Sequence, residues 1–155
     1  MGFPGLDTDP RGNAWLNPER LEATLTEAID YGLQLLIILA RAEELPADAH
    51  ASLRRAVSAR NLRTIALPIE DYGVPGRPFL RAWRRLSPAF RASFAANQAV
   101  GMSCHHGAGR SGVVAAMHLI EAGATAADAV AALRAQFPET VENDLQYQWL
   151  EHFAR

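Results

Sequence analysis

Residues 33–39 read LQLLIIL, an apolar run bounded by Gly32 on one side and by charged residues from Arg41 on the other. The run is too short for an ordinary helix, and as a strand it carries apolar side chains on both faces, so both faces need cover. Helices before and after it can supply that cover. Asn17 is placed to cap a helix with Pro18 at its first position, and Leu21, Leu25, Ala28 and Ile29 recur at helical spacing up to Gly32. A second helix is predicted over about 48–60, followed by a strand TIALPI at 64–69. After an irregular loop at 70–78, Phe79, Leu80, Trp83, Leu86, Phe90 and Phe94 mark a long helical stretch, which Pro88 is expected to kink or divide.

A third apolar strand, AVGMSC at 99–104, runs straight into a glycine-containing loop. The segment from about 110 to 121 is apolar nearly all round, which predicts a buried helix. Thr125, with Asp128 three residues on, caps another helix whose inner face is expected to carry Ala127, Val130, Leu133 and Phe137. A last helix is predicted over 142–153, and the residues up to Leu16 read as irregular and turn-rich. This alternation predicts an α/β fold, a single domain over 1–155 with a central, mostly parallel sheet flanked by helices.

Charge narrows the partners. A formal net charge of −2 with 21% charged residues provides no basic field for nucleic acid or an anionic membrane, so any anion must be held locally. The one cysteine rules out an internal disulfide, and a reducing cytoplasm fits best. The first residues show no secretory pattern, no apolar run is long enough to span a bilayer, and Leu6 stands where a myristoylation pattern needs Ser or Thr.

The third strand ends in CHHGAGRS, residues 104–111. Glycines at 107 and 109 let consecutive N–H groups turn inward, the start of the following helix adds partial positive charge, and Arg110 offers a planar fork for two oxygens. Such a field holds a phosphate and also favours a thiolate, so Cys104 is expected to titrate below the free value of about 8.5 and act as a nucleophile. A lone cysteine at the end of an apolar strand is more often plain core. With glycine near 7% of residues, however, two glycines, an arginine and a hydroxyl at these offsets arise by chance on the order of once in ten thousand or less.

At these residues the chain resembles the protein tyrosine phosphatase superfamily, whose Cys-x5-Arg-Ser/Thr loop is matched by Cys104, Arg110 and Ser111, with Gly107 at the third position. Within it the chain is most similar to small bacterial members of the compact dual-specificity group, through RGNAWL at 11–16 and LPIEDYGVP at 67–75. The resemblance implies two-step phosphoryl transfer without a cofactor or metal. Cys104 would form a phosphocysteine, while Arg110 and the backbone of His105, His106, Gly107, Ala108, Gly109 and Arg110 would bind the substrate oxygens. Ser111 would assist sulfur as it leaves, and Asp71 would be general acid and base. From the acid alone, Asp71 is more often a solvated turn residue, a balance that the cysteine loop reverses, and Glu70 is its competitor as the acid. Gln146, where relatives orient the hydrolytic water, reads equally as an exposed helix residue. His105 and His106, if protonated, would favour polyanions, or they point outward.

The expected substrates are phosphorylated protein or small phosphate esters, phosphotyrosine with some dual specificity. Tyr72 and Arg77 would border a shallow entrance. An inositol phosphate or phosphoinositide phosphatase, a non-catalytic phosphate-binding module and a thiol-dependent arsenate reductase are the alternatives. The last lacks the further cysteines such chemistry recruits. Ser103 is a departure, since relatives carry a histidine directly before the nucleophile.

Overall fold

The computed structural model describes residues 1–154. Three parallel strands form the central sheet: β3 (Leu33–Ile38) lies between β4 (Arg63–Ala66) and β5 (Ala99–Ser103). Alternate residues of β3 enter two separate cores. Leu35, Ile37 and Leu39 face a large cluster with Phe79, Trp83, Phe90, Val113 and Met117, whereas Leu36, Ile38 and Ala40 face a smaller one with Leu21, Leu25, Leu53 and Val57. The two-sided cover demanded by the apolar run is thus provided by different helices. A register shift between Leu33 and Leu35 against β5 reverses the alternation, so Leu33 joins Leu36 and Gln34 is left exposed.

Helices α1 (Pro18–Asp30) and α2 (Ala49–Ser58) contribute to the smaller core. Helices α3 (Arg77–Ala95), α4 (Gly109–Glu121), α5 (Ala126–Gln136) and α6 (Asp144–Phe153) contribute to the larger. Asn17 caps α1 by accepting from the Arg20 N–H, and Thr125 caps α5 by accepting from the Asp128 N–H, both as the sequence predicts. The strand predicted over 64–69 is shorter, although Leu67 N–H to Ile38 O and Ile69 N–H to Leu39 O carry the chain on beside β3.

Four expectations need correction. Pro88 does not divide α3, which is continuous; Phe79, Trp83 and Phe90 are buried on both sides of it, with ring centroids 5.9 and 5.5 Å apart in succession, so packing outweighs the lost hydrogen bond. The inner face of α5 is Ala126, Ala129 and Val130 with Leu133 packed alongside. Ala127 is exposed, and Phe137, 43% exposed, lies past the helix end. The first sixteen residues contain an antiparallel hairpin, β1 (Leu6–Thr8) with β2 (Ala14–Leu16), whose turn is held by Asp9 Oδ1 accepting from the Arg11 and Asn13 N–H groups. Finally, α6 begins at Asp144 because Asn143 is its cap. No described helix is long and apolar enough to cross a membrane.

Candidate active site

The carboxyl ends of the three parallel strands lie side by side, and the segments leaving them meet at one place, as is usual in open α/β sheets. Cys104 follows β5 directly and is 2% exposed. Its Sγ accepts from the Gly107 N–H at 3.2 Å and lies 3.3 Å from Ser111 Oγ, in the first turn of α4. Arg110, in the same turn, is equally buried. Its Nη1 donates to Glu44 Oε2 at 2.5 Å and to the Ile69 carbonyl at 3.1 Å, and its Nη2 is 2.8 Å from Asp71 Oδ1. Glu44 ends a 3-10 turn (Ala42–Glu44) after β3, whereas Ile69 and Asp71 follow β4. Each strand therefore sends one segment to the guanidinium.

Of the two adjacent carboxylates, Asp71 reaches Arg110, whereas Glu70 is largely exposed and has Arg41 at 3.8 Å as an ion-pair partner. Ala108 and Gly109 lie between loop and helix: Ala108 O accepts from the Gly112 N–H, and a methyl group on Gly109 would lie 1.7 Å from Glu142 Oε1. The two imidazoles of the loop lie 4.5 Å apart. His105 is half-buried, and burial first, then His106 and Arg110, push its pKa below the ordinary histidine value, which favours the neutral ring; His106 is exposed. Tyr72 is 62% exposed beside Asp71.

Gln146 is not on an exposed helix face. It is fully buried, its Oε1 accepting from the Glu142 N–H at 3.0 Å and its Nε2 donating to the Gly73 carbonyl at 3.2 Å. Ser103 is buried too and turns away from the thiol, donating to the Gly2 carbonyl at 3.1 Å. The first three residues run beneath the loop, where Cys104 N–H donates to Met1 O and Phe3 N–H to His105 O. Gly107 sits at φ +95°, and a Cβ there would lie 2.3 Å from Gly2 N. Gly107→Ala is therefore expected to cost about 1–3 kcal/mol of stability, read by urea unfolding; an unchanged midpoint would mean that the first residues simply move aside.

No family model and no curated protein matches this sequence. Solved structures do match it. A kinase-associated phosphatase with serine substituted for its catalytic cysteine superposes with a TM-score of 0.78 at 19% identity, over 99% of this chain and 83% of that one. Tk-PTP in its active form gives 0.68 at 22% identity, over 86% and 85%. Human DUSP28 gives 0.64 at 18% identity, over 83% and 82%. The fold is that of the dual-specificity phosphatases. On this phosphatase fold, residues 104–111 form the turn between β5 and α4, and Asp71 lies opposite on the segment after β4.

Sequence reasoning missed Glu44 and Asn143. Glu44 has a usable signal, because the segment after a central parallel strand has to leave beside those of its neighbours. Asn143 donates from Nδ2 to the Tyr72 carbonyl at 3.0 Å, and Asn143-x-x-Gln146 has the spacing of a helix cap. A cavity of about 800 Å³ is lined by Ser111, Gly112, Phe94, Met102 and Leu133, and Cys104 is not among its walls.

Proposed function

We propose that the chain, acting as one domain over 1–155, is a cysteine-dependent phosphatase for phosphate monoesters. The carrying observation is that one guanidinium joins the two halves of the chemistry: Arg110 rises from the loop that holds Cys104 and touches the carboxylate of Asp71. A phosphate set on the loop would take over that contact through Arg110 and the amides of 105–110. Cys104 sulfur attacks phosphorus, the ester P–O bond breaks, and Asp71 protonates the departing oxygen. Water then gives a proton back to Asp71 and attacks phosphorus; the P–S bond breaks, releasing phosphate and the thiolate, which the Ser111 hydroxyl and the Gly107 N–H solvate. Glu44 holds the other edge of Arg110, so the fork does not have to be ordered when substrate arrives.

The rim supports monoesters rather than polyanions. Carboxylates Glu43, Glu44, Glu70 and Asp71 crowd two guanidiniums, Arg41 and Arg110, and His105 favours its neutral form. The exposed Tyr72 offers an aromatic edge to an aryl ester. A free, buried cysteine as nucleophile also suits a reducing cytoplasm. The test is a turnover panel of an aryl phosphate, phosphotyrosine, phosphoserine and phosphothreonine peptides, and inositol phosphates. Hydrolysis of the aryl phosphate and phosphotyrosine is expected, with weaker activity on phosphoserine and phosphothreonine. A preference for inositol phosphates would overturn the substrate assignment, and inertness toward every ester would overturn the enzyme.

A further inference from the structure

Asn143 sits where the acid-bearing segment meets the catalytic loop, and its two amide atoms do different things. Oδ1 accepts from the Gln146 N–H at 2.9 Å and caps α6, whereas Nδ2 reaches across to the carbonyl of Tyr72, the residue directly after Asp71. One residue further on, the Gly73 carbonyl is taken by Gln146 Nε2. The far side of the same segment is anchored on the loop: Val141 N–H points to the Ala108 carbonyl at 3.4 Å, while Arg134 binds the carbonyls of Thr140 at 2.9 Å and Val141 at 2.8 Å. Both ends of this bridge hold backbone that side chains avoid. Tyr72 has φ +54° and Val141, β-branched and buried, has φ +57°. Non-glycine residues persist there only where their surroundings over-determine them.

We propose that Asn143 is a positioning residue for Asp71: by holding the Tyr72 carbonyl it keeps the acid-bearing turn clamped over the catalytic loop, a duty separate from capping α6. This rests on the phosphatase reading above. Without the Nδ2 donor, the left-handed turn at Tyr72 keeps only the Gln146 bond to the Gly73 carbonyl, one residue further from the acid, and Asp71 is held less firmly at the height a leaving oxygen requires. The cost falls on proton delivery and spares the attack by Cys104, so it should grow as the leaving group becomes more basic.

Asn143→Asp separates the two duties, since aspartate is as good a helix cap but has no N–H to donate; Asn143→Ser, also a capping residue, is the second variant. Two measurements are made on the full chain. Hydrogen exchange of residues 70–76 is expected to speed up roughly tenfold in both variants with residues 144–153 unchanged. On phenyl phosphate kcat/KM, which covers attack and proton delivery but not the later hydrolysis, should fall by about tenfold, and on a nitrophenyl phosphate by less than about twofold, the pattern expected of Asp71→Asn on a larger scale. Unchanged exchange at 70–76, or equal losses on both esters, would overturn the positioning role. If the parent hydrolyses neither ester, or Cys104→Ser still hydrolyses both, the phosphatase reading falls and takes this proposal with it. An active parent with unaffected Asn143 variants overturns this proposal alone.

Discussion

Cys104→Ser is expected to lower kcat on an aryl phosphate by about 10³-fold or more, the scale seen when a nucleophile is removed, while tungstate still binds. The two outcomes separate because different atoms produce them. Sulfur is the only group proposed to bond phosphorus, and a serine hydroxyl there remains protonated at neutral pH and attacks poorly. Binding instead draws on backbone N–H groups, the start of α4 and Arg110, none of which the substitution alters. The neighbours of the sulfur, Gly107 N–H and Ser111 Oγ, accommodate an oxygen equally well. Stopped assays of phosphate release with calorimetric titration of tungstate decide it. Residual turnover above a few per cent of the parent would refute the nucleophile assignment, and loss of tungstate binding would refute the backbone cradle.

Arg110→Lys is expected to lower kcat/KM by about 10²–10³ and to weaken tungstate binding by at least about tenfold, although it keeps the positive charge. A guanidinium presents a fixed fork, and Arg110 uses it fully: one nitrogen spans Glu44 and Ile69 O while the other faces Asp71. An ammonium has three donors but no fixed planar fork, so it cannot hold these partners where the two separate nitrogens of the guanidinium hold them. Alanine would be a poorer test, because removing one partner of a buried ion pair costs about 3–5 kcal/mol by itself, and Glu44, only 16% exposed, would be left without its cation. The variant's melting temperature is compared with the parent's. A folded Arg110→Lys protein with parental kcat/KM would mean that charge alone, not geometry, is what Arg110 supplies.

The sheet and the loop at 104–111 were legible in the sequence for a common reason: each is imposed by local composition. An apolar run of both parities, too short for an ordinary helix, calls for a covered strand, and Asn17 and Thr125 begin helices by accepting from N–H groups of the first turn. The segment at 104–111 combines strand end, glycines and helix start, and the structure brings its Cys104, Arg110 and Ser111 together with Asp71. What escaped depends on tertiary contact. The strands β1 and β2 are three residues each, too short to display a period, and their turn is fixed by the carboxylate of Asp9. Pro88 follows a rule about isolated helices, which burial of Trp83 and Phe90 on either side overrides. Gln146 and Asn143 look like ordinary residues at a helix start, and only the approach of Tyr72 and Gly73 gives their amides something to hold. Ser103, where a histidine is expected, binds the Gly2 carbonyl, a partner 101 positions away in the chain that no local pattern announces.

That partnership has a consequence for when the molecule becomes complete. Gly2 and Phe3 leave the ribosome well before the strand and loop they lie beneath, which follow a hundred residues later, on the order of ten seconds at usual elongation rates. Until then Phe3 has no His105 carbonyl to bind, and the left-handed turn at Gly107 has no floor. The interval spans the emergence of α1, α2, β3, β4 and α3, during which Phe3 can meet only its partners in the smaller core. Contacts of such long sequence separation are the slow ones in folding, because the entropy of closing the loop has to be met before any of them is made. The loop at 104–111 therefore has its full set of contacts only when the two ends of that long span have met.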